Sequence, residues 1–369
     1  MNPLISNITE ENNVLKFRLS GVDTSIANGL RRLMLSEIPT VVLRTFPQEK
    51  NKAVYDINTS RMNNELIGQR LSCIPLHITD TTFPYKTVVL EINKKNNSDT
   101  IQFLTTEDFK LKDINTDTYL SQAEVKKIFP PNPITGDYID LMRLRPRISD
   151  DIEGEHIKLT CKLDIGTAQE DSAFNIVSTC AYSATMNTNK AKEAWAAKAA
   201  DLKKSNTSKE AIAFAEKDWF LLDAKRYFIE NSFDFIVETV GPFNNTLILN
   251  KACDVMIKKL KNFQTMMQSQ EDLIKNSEST IDNCYDITIP NEGYTLGKVI
   301  EYILYTKHYN NTLTYCGFKK QHPHIDVCLI RIAFKEPAEV TTVITYLNDA
   351  AENAITVYNK INSSFVVEP

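Results

Sequence analysis

The chain has 369 residues, 42% of them apolar and 24% charged, which is enough for two or three domains around a large core of ordinary soluble type. A net charge of −5 argues against a dedicated DNA- or RNA-binding domain, since such domains carry a basic excess. No run approaches the roughly 20 apolar residues of a membrane span, polar residues 1–12 lack a signal-peptide layout, and seven cysteines without a Cys-x-x-Cys pair point to reduced thiols in a cytosolic space.

Leu15, Phe17 and Leu19 alternate with Lys16 and Arg18, the period of a half-buried strand, after a turn at 10–13. A helix is predicted next, capped by Asp23 or Thr24 and stopped by Pro39, which cannot continue the helical ladder. After Val41–Phe46 come short strand-like runs and turns at Pro130, Pro131 and Pro133, with a clear strand at Ile157, Leu159, Cys161 and Leu163. Residues 48–182 therefore read as an inserted, mainly β domain. The Ala-, Lys- and Glu-rich stretch 183–229 reads as a helical insertion, with Thr207 and Glu210 spaced as a capping box.

Phe233, Phe235 and Val237 then alternate with Asp234 and Glu238 until Gly241-Pro242, and 244–270 carries the apolar stripe of an amphipathic helix. Polar, aperiodic 275–283 reads as a linker. Beyond it the order strand, helix, strands, long helix repeats: Tyr285–Ile289, Thr295–Thr306, Leu313–Phe318, Val327–Phe334 and a helix from Ala338 onward. Leu347 and Ile355 belong to a near-heptad series on that last helix, suited to packing along the 244–270 helix.

One helix pattern is written twice. Thr24–Met34 aligns with Tyr294–Leu304, placing Ile26, Leu30, Leu33 and Met34 on one stripe and Leu296, Ile300, Ile303 and Leu304 on another. Each stripe needs a partner surface, and two on one chain bury each other. The expected product is an α+β intramolecular pseudo-dimer of two modules, each of antiparallel strands with two helices.

The segment Ser25–Thr40 (SIANGLRRLMLSEIPT) resembles the most recognisable stretch of the alpha-like RNA polymerase subunits. Glu65–Leu76 (ELIGQRLSCIPL) resembles that family's second motif, and Gly166–Phe174 (GTAQEDSAF) a third, looser one. Tyr294–Gly297, Tyr315–Lys319 and His322-Pro323-His324 are similar to the smaller partner of the same pair. The whole resembles a fusion of the third and eleventh subunits of eukaryotic RNA polymerase II, or of the archaeal D and L subunits. Such a fusion is the arrangement of large DNA viruses that transcribe in the cytoplasm; in a cellular host it would be nuclear.

The resemblance implies a third-subunit-like module at 1–47 and 230–274 and an eleventh-subunit-like module at 284–369. It implies an assembly platform without catalytic residues, metal or cofactor, which seats two large catalytic subunits and small ones. Nucleic acid would be met only through the complex, with no membrane and no homo-oligomer. Large-subunit contacts would fall at Arg31, Arg32, Glu65, Arg70, Ile74, Pro75, Gly166 and Thr167. The third motif departs from the family pattern, which has basic residues and a histidine where this chain has Gln169, Asp171 and Ala173; the family's charged contact is not carried over there.

Each feature has a plainer reading. Arg31 and Arg32 point about 100° apart on a helix, so at least one clears the core for solvent or a partner. Glu65–Leu76 suits local packing as well as docking, and Arg70 with Glu65 suits a surface ion pair. His322 and His324 are too few for a metal site and read as a turn between strands. The acidic run at Asp150-Asp151 is the feature on which a free-standing nucleotidyltransferase would rest, though such runs are most often solvated. A self-assembling scaffold unrelated to transcription is the remaining alternative.

Overall fold

The computed structural model describes residues 1–80, 83–149, 151–205 and 207–365. Asp150 lies outside the described residues. Internal contacts divide the chain into two compact units, one of Met1–Met34, Thr179–Glu238 and Asn245–Pro369, the other of Leu35–Ser178 and Thr239–Asn244.

The chain opens with an edge strand that the alternation test does not find, β1 (Leu4–Glu11), most of whose side chains face solvent. It turns through Asn12 and Asn13, both at positive φ, the two-residue hairpin geometry asparagine tolerates, into β2 (Val14–Ser20). Leu15, Phe17 and Leu19 are buried there as predicted. Helix α1 (Thr24–Ser36) follows, and Asp23 Oδ2 accepts the Ser25 N–H at 2.7 Å as its cap.

Next come β3 (Thr40–Leu43), β4 (Ala53–Asn58), α2 (Asn64–Ser72), β5 (Val88–Lys95), β6 (Gln102–Thr105), β7 (Lys110–Asp113), β8 (Thr118–Tyr119), α3 (Gln122–Ile128), β9 (Asp140–Leu144) and β10 (His156–Gly166). Strand β11 (Val177–Met186) precedes α4 (Thr188–Lys204), α5 (Lys209–Leu221), β12 (Phe228–Thr239) and α6 (Asn245–Ser269). The chain ends with β13 (Ile274–Asn276), β14 (Cys284–Pro290), α7 (Tyr294–His308), β15 (Leu313–Lys319), β16 (Val327–Phe334) and α8 (Val340–Ser363).

The first unit holds two four-stranded sheets, ordered β1-β2-β12-β11 and β13-β14-β16-β15. Each has its helix pair, α1 with α6 and α7 with α8, so the α+β design of two strand-and-helix modules is realised. Helices α6 and α8 run antiparallel, since Gln264 Nε2 donates to Asn348 O and Asn362 Nδ2 to Asp254 Oδ1. The second unit is built on the path β3-β10-β5-β7-β8, with β4 also on β10 and a separate β6-β9 ribbon. Its core joins Leu43, Ile67, Leu71, Leu90, Leu141 and Leu159.

Three local expectations are corrected. Residues 275–283 are not a free linker: Lys275 and Asn276 belong to β13, which pairs with Tyr285–Ile287, and Ser277 N donates to Cys284 O at 2.8 Å. A three-residue strand is too short to show a period, and backbone pairing holds it. Helix α5 is capped by Ser208, whose side chain accepts the Ala211 N–H, which replaces the Thr207–Glu210 capping box. The helical stretch is also shorter than 183–229, because β11 runs to Met186 and β12 begins at Phe228. Between them, Trp195 and Trp219 pack with Ala191 and Ala224 into a small core of their own.

Candidate functional site

The residues of both stripes are buried in the first unit, and the helices that carry them approach each other at Gly29 and Val299. Ile26, Leu30, Leu33, Met34, Leu296, Ile300, Leu304 and Leu347 are fully buried, and Ile303 and Ile355 nearly so. Burying each such aliphatic side chain is worth about 1.5–3 kcal/mol, so this seam is a major source of the unit's cohesion. At Gly29 the helices approach closely. A Cβ there would lie 2.9 Å from Tyr358 Oη, 3.5 Å from Met256 Cε and 3.7 Å from Val299 Cγ2. Val299 is the residue that aligns with Gly29 in the repeat, so like positions face each other, as in a two-fold interface. The Tyr358 hydroxyl donates to Ile26 O at 3.4 Å, and its complete burial pushes its pKa up. Periodicity singles out neither Gly29 nor the role of Tyr358; a glycine in mid-helix is the only trace of the close approach.

Polar contacts stitch the seam's margins. Arg32 Nε donates to Thr295 Oγ1 at 2.9 Å, and Lys259 pairs with Glu292 at 3.0 Å. Arg31 donates through Nε and Nη2 to Asn28 Oδ1, one turn back. Arg32 ties the two repeats together, and Arg31 is held by a neighbour on its own helix, a contact that a carboxylate ligand would outcompete.

The second and third motifs converge in the other unit, at a groove of about 1160 Å³ lined by residues of α2 and by Asp171, Ser172 and Ala173. Helix α2 is seated by Asn63, whose Oδ1 accepts the Leu66 N–H at 2.9 Å, and by Thr45 Oγ1 donating to Gly68 O at 2.8 Å. Glu65 lines the groove, while Arg70 turns away from it. Arg70 Nε donates to Leu141 O at 2.6 Å and Nη2 to Asp140 O at 2.8 Å, so carbonyls at the start of β9 take the guanidinium in place of Glu65, the plainer reading of that pair. Ile74 is likewise spent inside, 5% exposed in the unit's core, while Pro75 is half-buried.

The third motif is rigid at its base. A Cβ at buried Gly166 would lie 2.6 Å from Phe174 Cδ2, so glycine is what lets the Phe174 ring close over the strand end. Thr167 O accepts from the Glu170 and Asp171 amides. Arg44 clasps the turn through Asp164 at 2.7 Å and Glu170 at 2.9 Å, with its guanidinium 5.3 Å from the Phe174 centroid. Burial alone would lower the Arg44 pKa; the hydrogen bonds with Glu170 and Asp164 outweigh it and raise it. Arg44 was not foreseen, because its partners lie over 100 residues away.

His322 and His324 lie in the turn between β15 and β16 with ring centroids 5.2 Å apart. Among the described residues no group of three or more His, Cys, Asp or Glu side chains is placed to hold a metal. No helix among them is long and apolar enough to cross a membrane.

Comparison with known proteins bears on the fold. The family model described as RNA polymerase Rpb3/Rpb11 dimerisation domain matches residues 16–260, and a second model of the same description matches 284–364. The chain is 27% identical over 194 residues to the DNA-directed RNA polymerases I and III subunit rpac1 of Dictyostelium discoideum, covering 48% of this chain and 51% of that one. It is 23% identical over 275 residues to the DNA-directed RNA polymerase subunit Rpo3 of Methanosphaera stadtmanae, covering 69% of this chain and 95% of the relative. A 61-residue stretch, 16% of this chain and 17% of the relative, is 46% identical to the DNA-directed RNA polymerases IV and V subunit 3B of Arabidopsis thaliana. The match spans about half the length of the RNA polymerases I and III subunit. With two dimerisation-domain matches in tandem, one running from β2 through the second unit into α6 and the other from β14 to α8, the chain belongs to the RNA polymerase Rpb3/Rpb11 dimerisation domain family.

Proposed function

We propose that this chain is a non-catalytic assembly platform of a multisubunit DNA-directed RNA polymerase, a single polypeptide doing the work of two alpha-like subunits. The observation that carries the reading is the seam at Gly29, where α1 meets its own repeat α7 and the long helices α6 and α8. Joining the halves replaces a bimolecular encounter by an internal one, at an effective concentration on the order of mM for a short flexible connection. It also fixes their ratio at one to one.

In this reading 1–47 with 230–274 form the first module and 284–369 the second, with 48–182 inserted and 183–229 a helical addition. The outer face bearing Arg31 and Arg32 and the groove bearing Glu65 receive the two large subunits; Pro75, Gly166 and Thr167 shape the second surface, and Arg70 and Ile74 hold it from within. Nucleic acid is met through the complex, in whichever compartment that complex transcribes. A free-standing nucleotidyltransferase is not favoured: in the acidic run after Asp150, Glu153 pairs with Lys95 and Glu155 with Arg145.

The test is purification of the native chain with identification of its companions. Large polymerase subunits are expected among them. Replacing Arg31 and Arg32 by Ala should keep the fold, at a cost of about 0.5–1.5 kcal/mol for the lost Thr295 bond, and weaken that co-purification. Undiminished recovery would return both arginines to an internal role, and metal-dependent nucleotide incorporation by the chain alone would overturn the platform reading.

A further inference from the structure

The groove of the second unit has a chemistry of its own. Tyr55 lines it, and its hydroxyl is shut from solvent with no hydrogen-bond partner among the described residues. Burial lifts that hydroxyl to about 12, so it stays neutral and adds no charge to the groove. Gln48, Asn51, Asn64 and Gln69 add side-chain amides, groups that read the N–H and C=O of an extended backbone. Phe46 and Leu66, 69% and 49% exposed, supply apolar surface.

Its charge is one-sided. Glu65 and Asp171 are the acidic side chains lining it, and among the described lining residues there is no Lys or Arg. Asp171 gives Oδ1 to the Ala173 N–H of its own turn. The nearest buried cation in sequence, Arg44, is already neutralised by Asp164 and Glu170, and Lys50 and Lys52, flanking Asn51, do not line the groove. Carboxylates unopposed on a concave surface select a cation.

Resting on the assembly reading above, we infer that this groove holds an extended segment of a partner polymerase subunit in which an aromatic or branched apolar residue is flanked by lysine or arginine. The apolar residue lies against Phe46 and Leu66, the cations face Glu65 and Asp171, and the side-chain amides take the segment's backbone.

The experiment compares carboxyl labelling by glycine ethyl ester and a carbodiimide, read by mass spectrometry, in the free chain and in the native assembly purified through it. Labelling of Glu65 and Asp171 should fall on assembly. The pair Glu65→Lys and Asp171→Lys should lower recovery of a large subunit about tenfold at about 0.1 M salt, with the deficit shrinking as salt rises. Phe46→Ala should lower recovery at every salt concentration. Circular dichroism checks that the variants fold. Equal labelling in both states overturns the inference and removes the interface from this groove. Protection combined with unchanged or improved recovery of the charge-reversed variant overturns the cation while the interface stands. If wild-type chain recovers no large subunit, the assembly reading fails and the inference with it.

Discussion

Gly29→Ala tests the helix crossing directly. The new Cβ would stand 2.9 Å from Tyr358 Oη, roughly 0.5 Å inside ordinary contact. Tyr358 is fully buried, so its ring has no open rotamer to escape into, and relief requires α8 to shift against α6. Overpacking of this kind costs about 1–3 kcal/mol. Opposing it is the gain of about 1 kcal/mol from replacing glycine by alanine within a helix. The expected net is a loss of up to about 2 kcal/mol.

Tyr358→Phe removes the obstructing oxygen together with its long hydrogen bond to Ile26 O, for about 0.5–1 kcal/mol. In the double variant the methyl group has room and the helix gain is kept. The pair should therefore be about 1–2 kcal/mol more stable than the sum of the single changes. Urea titration with hydrogen exchange resolved to α1 and α8 is the assay, because a chain of two units need not unfold in one step. Additivity within about 0.5 kcal/mol would refute the close approach as the reason for glycine at this position.

Gly297→Ala should be more damaging, since its Cβ would meet Phe318 Cε2 at 2.0 Å and force α7 off β15. A loss above about 2 kcal/mol is expected, read as early exchange of β15 and α7 amides; wild-type protection would contradict it. Asp286 accepts from Arg331 Nε and Nη2 at 2.6 and 2.7 Å, and those bonds hold its carboxyl below the usual range. A native pKa below the unfolded one gives stability that is complete above about pH 4 and is lost as pH falls through the depressed value. Asp286→Asn should flatten that acid limb of the thermal-unfolding profile between about pH 5 and 2, and an unaltered limb would count against the pair.

Along the chain, what local pattern reveals is what local physics controls. The stripe of Ile26, Leu30, Leu33 and Met34 and its copy at Leu296–Leu304 were legible because burial of one helix face imposes a period, and all of them are buried. Strand β2, the long helices and the family motifs were legible for the same reason or by resemblance. Strand β1 escaped because an edge strand with two exposed faces imposes no alternation, and β13 because three residues cannot display one.

Tertiary structure alone decided which partner each polar head takes. Arg32 reaches Thr295 across 263 residues, Arg44 reaches Glu170 across 126, and Arg70 finds carbonyls of β9 across 70. No spacing rule encodes those distances, because guanidinium groups on a flexible stem go to whatever unpaired acceptor the folded backbone delivers. The sequence by itself determined the helices of the two modules, their apolar faces and the doubling of the plan, but not α2 and α3 of the insert. Only the packed chain determined that Gly29 and Tyr358 meet where those faces cross, and that two motifs about 100 residues apart wall one acidic groove, since close approach and concavity arise from how elements are stacked and not from the elements themselves.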